Sequence, residues 1–149
     1  MPERKIEYQV LEHRAEPGFF LSAPSLERLY VDAGLALTDR LARLDAIQPG
    51  ERRTLSVTGE TRAALMTQWI NGLVTLFDKE RFLSRRIVFS GFDGKRIQAT
   101  LQGEKHDPIR HGQGQAIGKI SEKNVEVGES PGLEGQFYAK VTFPWVEKR

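Results

Sequence analysis

Residues 103–112 read GEKHDPIRHG, a segment that places Glu104, Lys105, His106, Asp107, Arg110 and His111 between two glycines. Imidazole binds divalent metals and titrates near neutral pH, so two histidines beside a carboxylate suit either a zinc centre or proton transfer. The spacing opposes the metal. His106 and His111 are separated by five positions with Pro108 between them, which matches neither the one-face i, i+4 pair of a helix nor the alternate-residue pair of a strand. The residues alone therefore favour a polar loop whose side chains hold one another, with Asp107 paired to Arg110. No metal is expected between the histidines.

The elements that position this segment can be read from periodicity. Residues 8–13 (YQVLEH) and 18–23 (GFFLSA) are β-prone and flank an AEPG turn, which predicts a hairpin. Ser25 offers an N-cap to a helix whose stripe is Leu26, Leu29, Tyr30, Ala33, Leu37, Leu41 and Leu44, ending before Pro49-Gly50. RTLSVTG alternates as a half-buried strand does. A second helix begins near Thr61 and carries Leu65, Met66, Trp69, Ile70, Leu73, Val74 and Phe77 on one stripe. From residue 83 the period shortens to two, predicting strands joined at Phe92-Asp93-Gly94. Further strands are expected at residues 116–121, at 124–127 and in QFYAKVTF, where Phe137, Ala139, Val141 and Phe143 share a face. The sum is one α+β domain spanning residues 1–149, with two helices on a single, mostly antiparallel sheet of about seven strands.

Composition narrows the chemistry. The 149 residues suffice for a core without staples. There is no cysteine, which excludes disulfides, thiolate metal sites and cysteine nucleophiles. The opening MPERKIEYQ lacks an apolar stretch and no run approaches membrane-spanning length, so a soluble cytoplasmic protein is expected. The 22 basic and 20 acidic residues nearly cancel, to +2; that balance permits RNA contact without implying it. No G-x-S-x-G, Walker loop or HExxH is present, which weighs against an independent hydrolase. Arg81, Arg85, Arg86, Lys95 and Arg96 cluster across the predicted hairpin, leaving a stand-alone RNA-binding or protein-interaction module as the alternative.

The order of four motifs resembles the archease family: VLEHRAEPGF, the helix opening SLERLYVDAGLAL, the helix WINGLVTLFDKERFL, and GEKHDPIRHG, within a span from Tyr8 to Phe143. The resemblance implies a small α+β accessory protein, not an enzyme. Its partner would be an RtcB-type RNA ligase acting in tRNA splicing and RNA repair, whose guanylylation and multiple turnover it promotes. RNA would be met through the ligase. Asp107, Arg110 and His111 then belong to a recurrent family loop, with His106 outside the pattern.

The resemblance also implies a calcium or magnesium site between carboxylates of the first hairpin and the last strand. Glu16 stands at the hairpin position, whereas Pro144 replaces the second acid and offers no side-chain ligand. Metal binding is therefore expected to be weak or absent. His13 and Lys119 would be neighbours of that site. Lys119 falls one step from the family lysine position, a shift that reverses its face on a strand. Trp145, next to Pro144, is a candidate partner contact, since tryptophan is enriched at interface hot spots.

Overall fold

The computed structural model describes residues 6–11, 17–132 and 135–144. Strand β1 (Gln9–Leu11) and β2 (Gly18–Ala23) form the expected hairpin, followed by helix α1 (Leu26–Leu41). Next come a 3-10 turn (Leu44–Ala46), β3 (Glu51–Thr58), α2 (Arg62–Glu80), β4 (Phe82–Phe92) and β5 (Arg96–Lys105). A one-turn helix α3 (Pro108–His111), a 3-10 turn (Glu122–Asn124), β6 (Val125–Glu129) and β7 (Phe137–Thr142) complete the order. Among the described residues no helix is long and apolar enough to cross a membrane.

The α+β assignment and the seven antiparallel strands among the described residues agree with the sequence reading, but these strands divide into two sheets instead of one. One sheet has the order β1-β2-β7-β6 and the other β3-β5-β4. Helix α1 packs on β2 and β7 of the first sheet and on β4 of the second, while α2 packs on β6 and on β3, β4 and β5. The helices thus lie between the sheets. This explains why α1 buries residues around most of its circumference, Asp32, Leu35 and Thr38 included, as a helix covered on more than one side must.

Local chemistry sets the helix limits. The Ser25 hydroxyl accepts from the Arg28 N–H and the Thr61 hydroxyl from the Ala64 N–H, each satisfying a first-turn donor that has no helical partner. Helix α1 stops at Leu41, so Leu44, expected on its stripe, sits in the following 3-10 turn and is buried there. Gly34 permits the close approach of α1 to its neighbours: a Cβ there would press on the Ile87 and Trp69 side chains. The Trp69 indole N–H donates to the Tyr30 carbonyl at 2.7 Å, tying the two helices together inside the core.

The strand expected at residues 116–121 is absent. Ile117 and Ile120 are buried, which is why the segment reads as a strand, but its backbone has no strand partner. Instead, the Asn71 side chain of α2 does what a neighbouring strand would do. Its amide NH₂ donates to the Ile120 carbonyl at 2.9 Å, and its oxygen accepts from the Ile120 N–H at 2.8 Å. The segment is therefore docked on a helix through one side chain.

Candidate functional site: the buried Glu104–His111 network

Strand β5 carries Glu104 to the end of its sheet, and α3 folds back to set His111 against it. The short helix replaces the expected irregular loop at residues 108–111. Asp107 caps it by accepting from the Ile109 N–H, and Pro108 occupies its first turn, where the missing N–H costs nothing and φ is already helical. Both bracketing glycines are required by the backbone. A Cβ at Gly103 would overlap the Leu83 carbonyl oxygen, and Gly112 has φ +73°, a left-handed conformation that other residues reach only with strain.

His111 is wholly buried. Its Nδ1 accepts from the Asp107 backbone N–H at 2.9 Å, so the proton of the neutral ring resides on Nε2, which donates to Glu104 Oε1 at 2.9 Å. Glu104 also pairs with the Arg110 guanidinium and accepts from the Gln48 N–H at 2.8 Å. Burial pushes the His111 imidazole below its ordinary value of 6.5; electrostatic effects of Arg110 and then of the neighbouring His106 push the same way, Asp107 opposes them, and Arg43 adds a further lowering. Geometry gives the same direction independently. A second proton would have to displace the Asp107 N–H from Nδ1, and Arg110 already neutralises the carboxylate that would favour it.

Asp107, Arg110 and His106 are also engaged. Asp107 and Arg110 form the expected ion pair at 3.7 Å, with both side chains about half exposed. His106 donates from Nε2 to the Gly112 carbonyl at 2.7 Å and lies 6.1 Å from the His111 ring, nearly parallel to it. With both nitrogens of His111 in hydrogen bonds, zinc between the two rings would require the network to break. The His111 carbonyl accepts from the Arg43 N–H, and the Gly114 and Gln115 N–H groups donate to the Leu41 and Arg40 carbonyls. Gly114 and Gln115 thereby satisfy two of the open carbonyls at the C-terminal end of α1. Glu104 was not singled out from the sequence. The signal was present in the alternation of β5, which runs unbroken through Lys105 and would have marked Glu104 as a strand residue.

Beside this network lies a cleft of about 410 Å³ whose lining includes Phe77, Asp78, Arg81, His106, Gln113 and Gln115. Arg81 ends α2 in the left-handed region (φ 55°), and from there its carbonyl accepts from the His106 N–H at 2.7 Å. Its guanidinium lies 4.4 Å from the Phe77 ring centre.

The other candidate residues lie elsewhere. His13, Glu16 and Trp145 fall outside the described residues. Lys119 is exposed on the unpaired segment docked by Asn71, so the strand-face argument does not apply to it. The meeting of first hairpin and last strand does hold. Gly18 pairs with Thr142, and the Phe143 N–H donates to the Pro17 carbonyl at 2.6 Å. Pro144 follows directly and supplies no oxygen ligand from its side chain. No group of three or more His, Cys, Asp or Glu that could hold a metal ion occurs among the described residues.

The geometry can be set beside known proteins. Residues 8–143 match the model of the archease protein family (MTH1598/TM1083). A protein archease of Pyrobaculum calidifontis is 31% identical over 108 residues, covering 70% of this chain and 74% of that protein. The solution structure of Methanobacterium thermoautotrophicum protein 1598 superimposes with a TM-score of 0.72 at 20% identity, covering 93% of this chain and 98% of the other. A crystal structure from Thermotoga maritima, described as an archease and possible chaperone, gives a TM-score of 0.61 at 18% identity over 97% and 99% of the two chains. The two solved structures speak for the fold, and the family match over nearly the whole length, carrying the GEKHDPIRHG network within it, shows that this chain belongs to the archease family.

Proposed function

We propose that this chain activates an RtcB-type RNA ligase, promoting its guanylylation and repeated turnover in tRNA splicing and RNA repair, and does not itself join RNA. The observation that carries the reading is the family match over residues 8–143. The network supports it in a second way: the Glu104 carboxylate, both His111 nitrogens and the Asp107–Arg110 pair are committed to holding β5, α3 and the backbone at Gln48 together. A catalytic imidazole needs one nitrogen within reach of substrate, whereas His111 is enclosed.

The test is a ligation assay with the RtcB-type ligase of the same organism, RNA ends in excess, with and without this protein. Product beyond one equivalent of ligase, together with faster formation of the guanylylated ligase, is the expected result. Unchanged guanylylation and unchanged turnover would overturn the proposal. The same reading carries a weakened or lost cation site, because Pro144 stands where a carboxylate is needed; no part of the proposed activation is routed through a metal.

A further inference from the structure

Both helices pack on the β3-β5-β4 sheet, and the alternation along its strands, with Ile87, Ile97, Ala99 and Leu101 buried and Thr54, Ser56 and Val88 exposed, places the open side on the opposite, outer face. Register fixes which side chains share that face. Arg52, Gln102 and Arg86 stand in one row across the three strands, and Thr54, Thr100 and Val88 in the next. Ser56 with Gln98, then Thr58 with Arg96, continue it to the far end. Arg52, Arg86 and Arg96 are exposed, and so is Val88, at 53%. No acidic residue occupies these rows, and Glu104, the next residue after Gln102 on the same face of β5, has its charge engaged by Arg110 and His111. In a chain with 22 basic and 20 acidic residues, such segregation gives the face a local positive potential that the net charge conceals.

The arginine cluster seen in the sequence is thereby divided. Arg86 and Arg96 lie on the outer face with Arg52, which the sequence reading did not group with them. Arg81 lies over Phe77 instead, and Arg85 sits at the register shift between Ser84 and Arg86. With strands about 5 Å apart and about 3.3 Å per residue, Arg52 and Arg86 are about 10 Å apart across the face, and Arg96 stands about 20 Å along it. Guanidinium groups bind phosphate through paired N–H donors. The hydroxyls and carboxamides between them match ribose hydroxyls and phosphate oxygens. Aromatic platforms for stacking bases are missing from the rows, so contact would be with the backbone and indifferent to sequence.

We propose that this face is a contact surface for the sugar–phosphate backbone of single-stranded RNA. The choice of RNA among extended polyanions rests on the proposed ligase function; the location and the charge rest on the sheet alone. At about 3.4 Å per nucleotide, 20 Å spans about six stacked nucleotides. Three arginines neutralising three phosphates give a slope of log K against log salt of about −2, using about −0.7 per phosphate for single strands. Affinity should then fall about twentyfold between about 50 and 200 mM salt.

The test is fluorescence anisotropy of labelled oligouridylate RNA with the full chain and no ligase, across that salt range. The wild type should show the slope of about −2. A variant combining Arg52→Gln, Arg86→Gln and Arg96→Gln should lose both binding and slope, whereas Arg28→Gln, on α1 and 3.8 Å from Asp32, should change neither. Val88→Lys adds a fourth cation at the centre of the face and should steepen the slope by about 0.7, which keeps the proposal testable if the triple variant unfolds. Absence of binding by the wild type would overturn it, as would binding by a folded triple variant with unchanged slope. Loss of ligase binding in the triple variant, with no RNA binding by the wild type, would overturn it and assign the face to the ligase. RNA binding without ligase activation would leave this inference standing and remove the proposed function.

Discussion

Replacing His111 by phenylalanine keeps a planar ring in a buried site while deleting both of its hydrogen bonds. The Glu104 carboxylate retains Arg110 and the Gln48 N–H, so it is not orphaned. What is lost is the charge-assisted bond from Nε2, worth about 1.5–3 kcal/mol, and the acceptor for the Asp107 N–H, an amide whose loss of a partner costs about 1–3 kcal/mol. Because α3 can shift to expose that amide, His111→Phe should destabilise by about 2–4 kcal/mol, lowering the melting temperature by about 5–15 °C. The pH profile separates this account from simple mispacking. The folded value for His111 lies below 6.5, so between the two values the unfolded chain binds more protons than the folded one, and stability rises with pH. The contribution is fully present above pH 6.5, declines as pH falls toward the folded value, and levels off below it. Its slope is at most about 1.4 kcal/mol per pH unit. Urea unfolding of both proteins from pH 5 to 8 should show this component in the wild type and not in the variant. Equal stability with parallel pH profiles would refute the assigned tautomer and network.

Leu37, fully buried on α1, should cost about 2–5 kcal/mol when truncated in Leu37→Ala, measured by chemical denaturation. Asn71→Ala removes both bonds to Ile120 and should cost about 1–3 kcal/mol, with amide exchange at Ile120 accelerating far more than at β5. Calorimetric titration of metal-free protein with calcium and with magnesium should show weak or no binding. Tight binding that Glu16→Gln abolishes would mean that another carboxylate, such as Glu147, completes a site.

Where burial alone dictates an element, the sequence was sufficient to find it. The stripes through Leu29, Leu37 and Leu41 and through Trp69 and Leu73 are buried as the 3.6-residue period requires, and Ile97, Ala99 and Leu101 face inward as the two-residue period requires. Periodicity says which face of a strand is covered and leaves open which strand lies beside it. Hence the two sheets were read as one, since the pairing of β2 with β7 joins residues from opposite ends of the chain. The segment around Ile117 and Ile120 misled for the same reason: apolar spacing reports burial, and Asn71 supplies a partner that no strand pattern encodes. In the GEKHDPIRHG segment the Asp107–Arg110 pair was legible from its i, i+3 spacing. The Glu104–His111 bond was not, because it depends on a helical turn reversing the chain at Pro108.

Strand β7 fills the gap between β2 and β6, and this order has a consequence during synthesis. When a ribosome has released β2 and α1, the seat for residues 137–142 is still open, and Phe19 and Leu21 have no cover from that side. At about 5–20 residues per second, several seconds or more pass before the covering strand emerges. During that interval the nascent chain presents an unpaired edge with an apolar flank, the state in which strands pair with the wrong neighbour. The β3-β5-β4 sheet, built from consecutive segments, can close meanwhile, so the order of translation divides the molecule into a half that forms early and a half that must wait for the last strand.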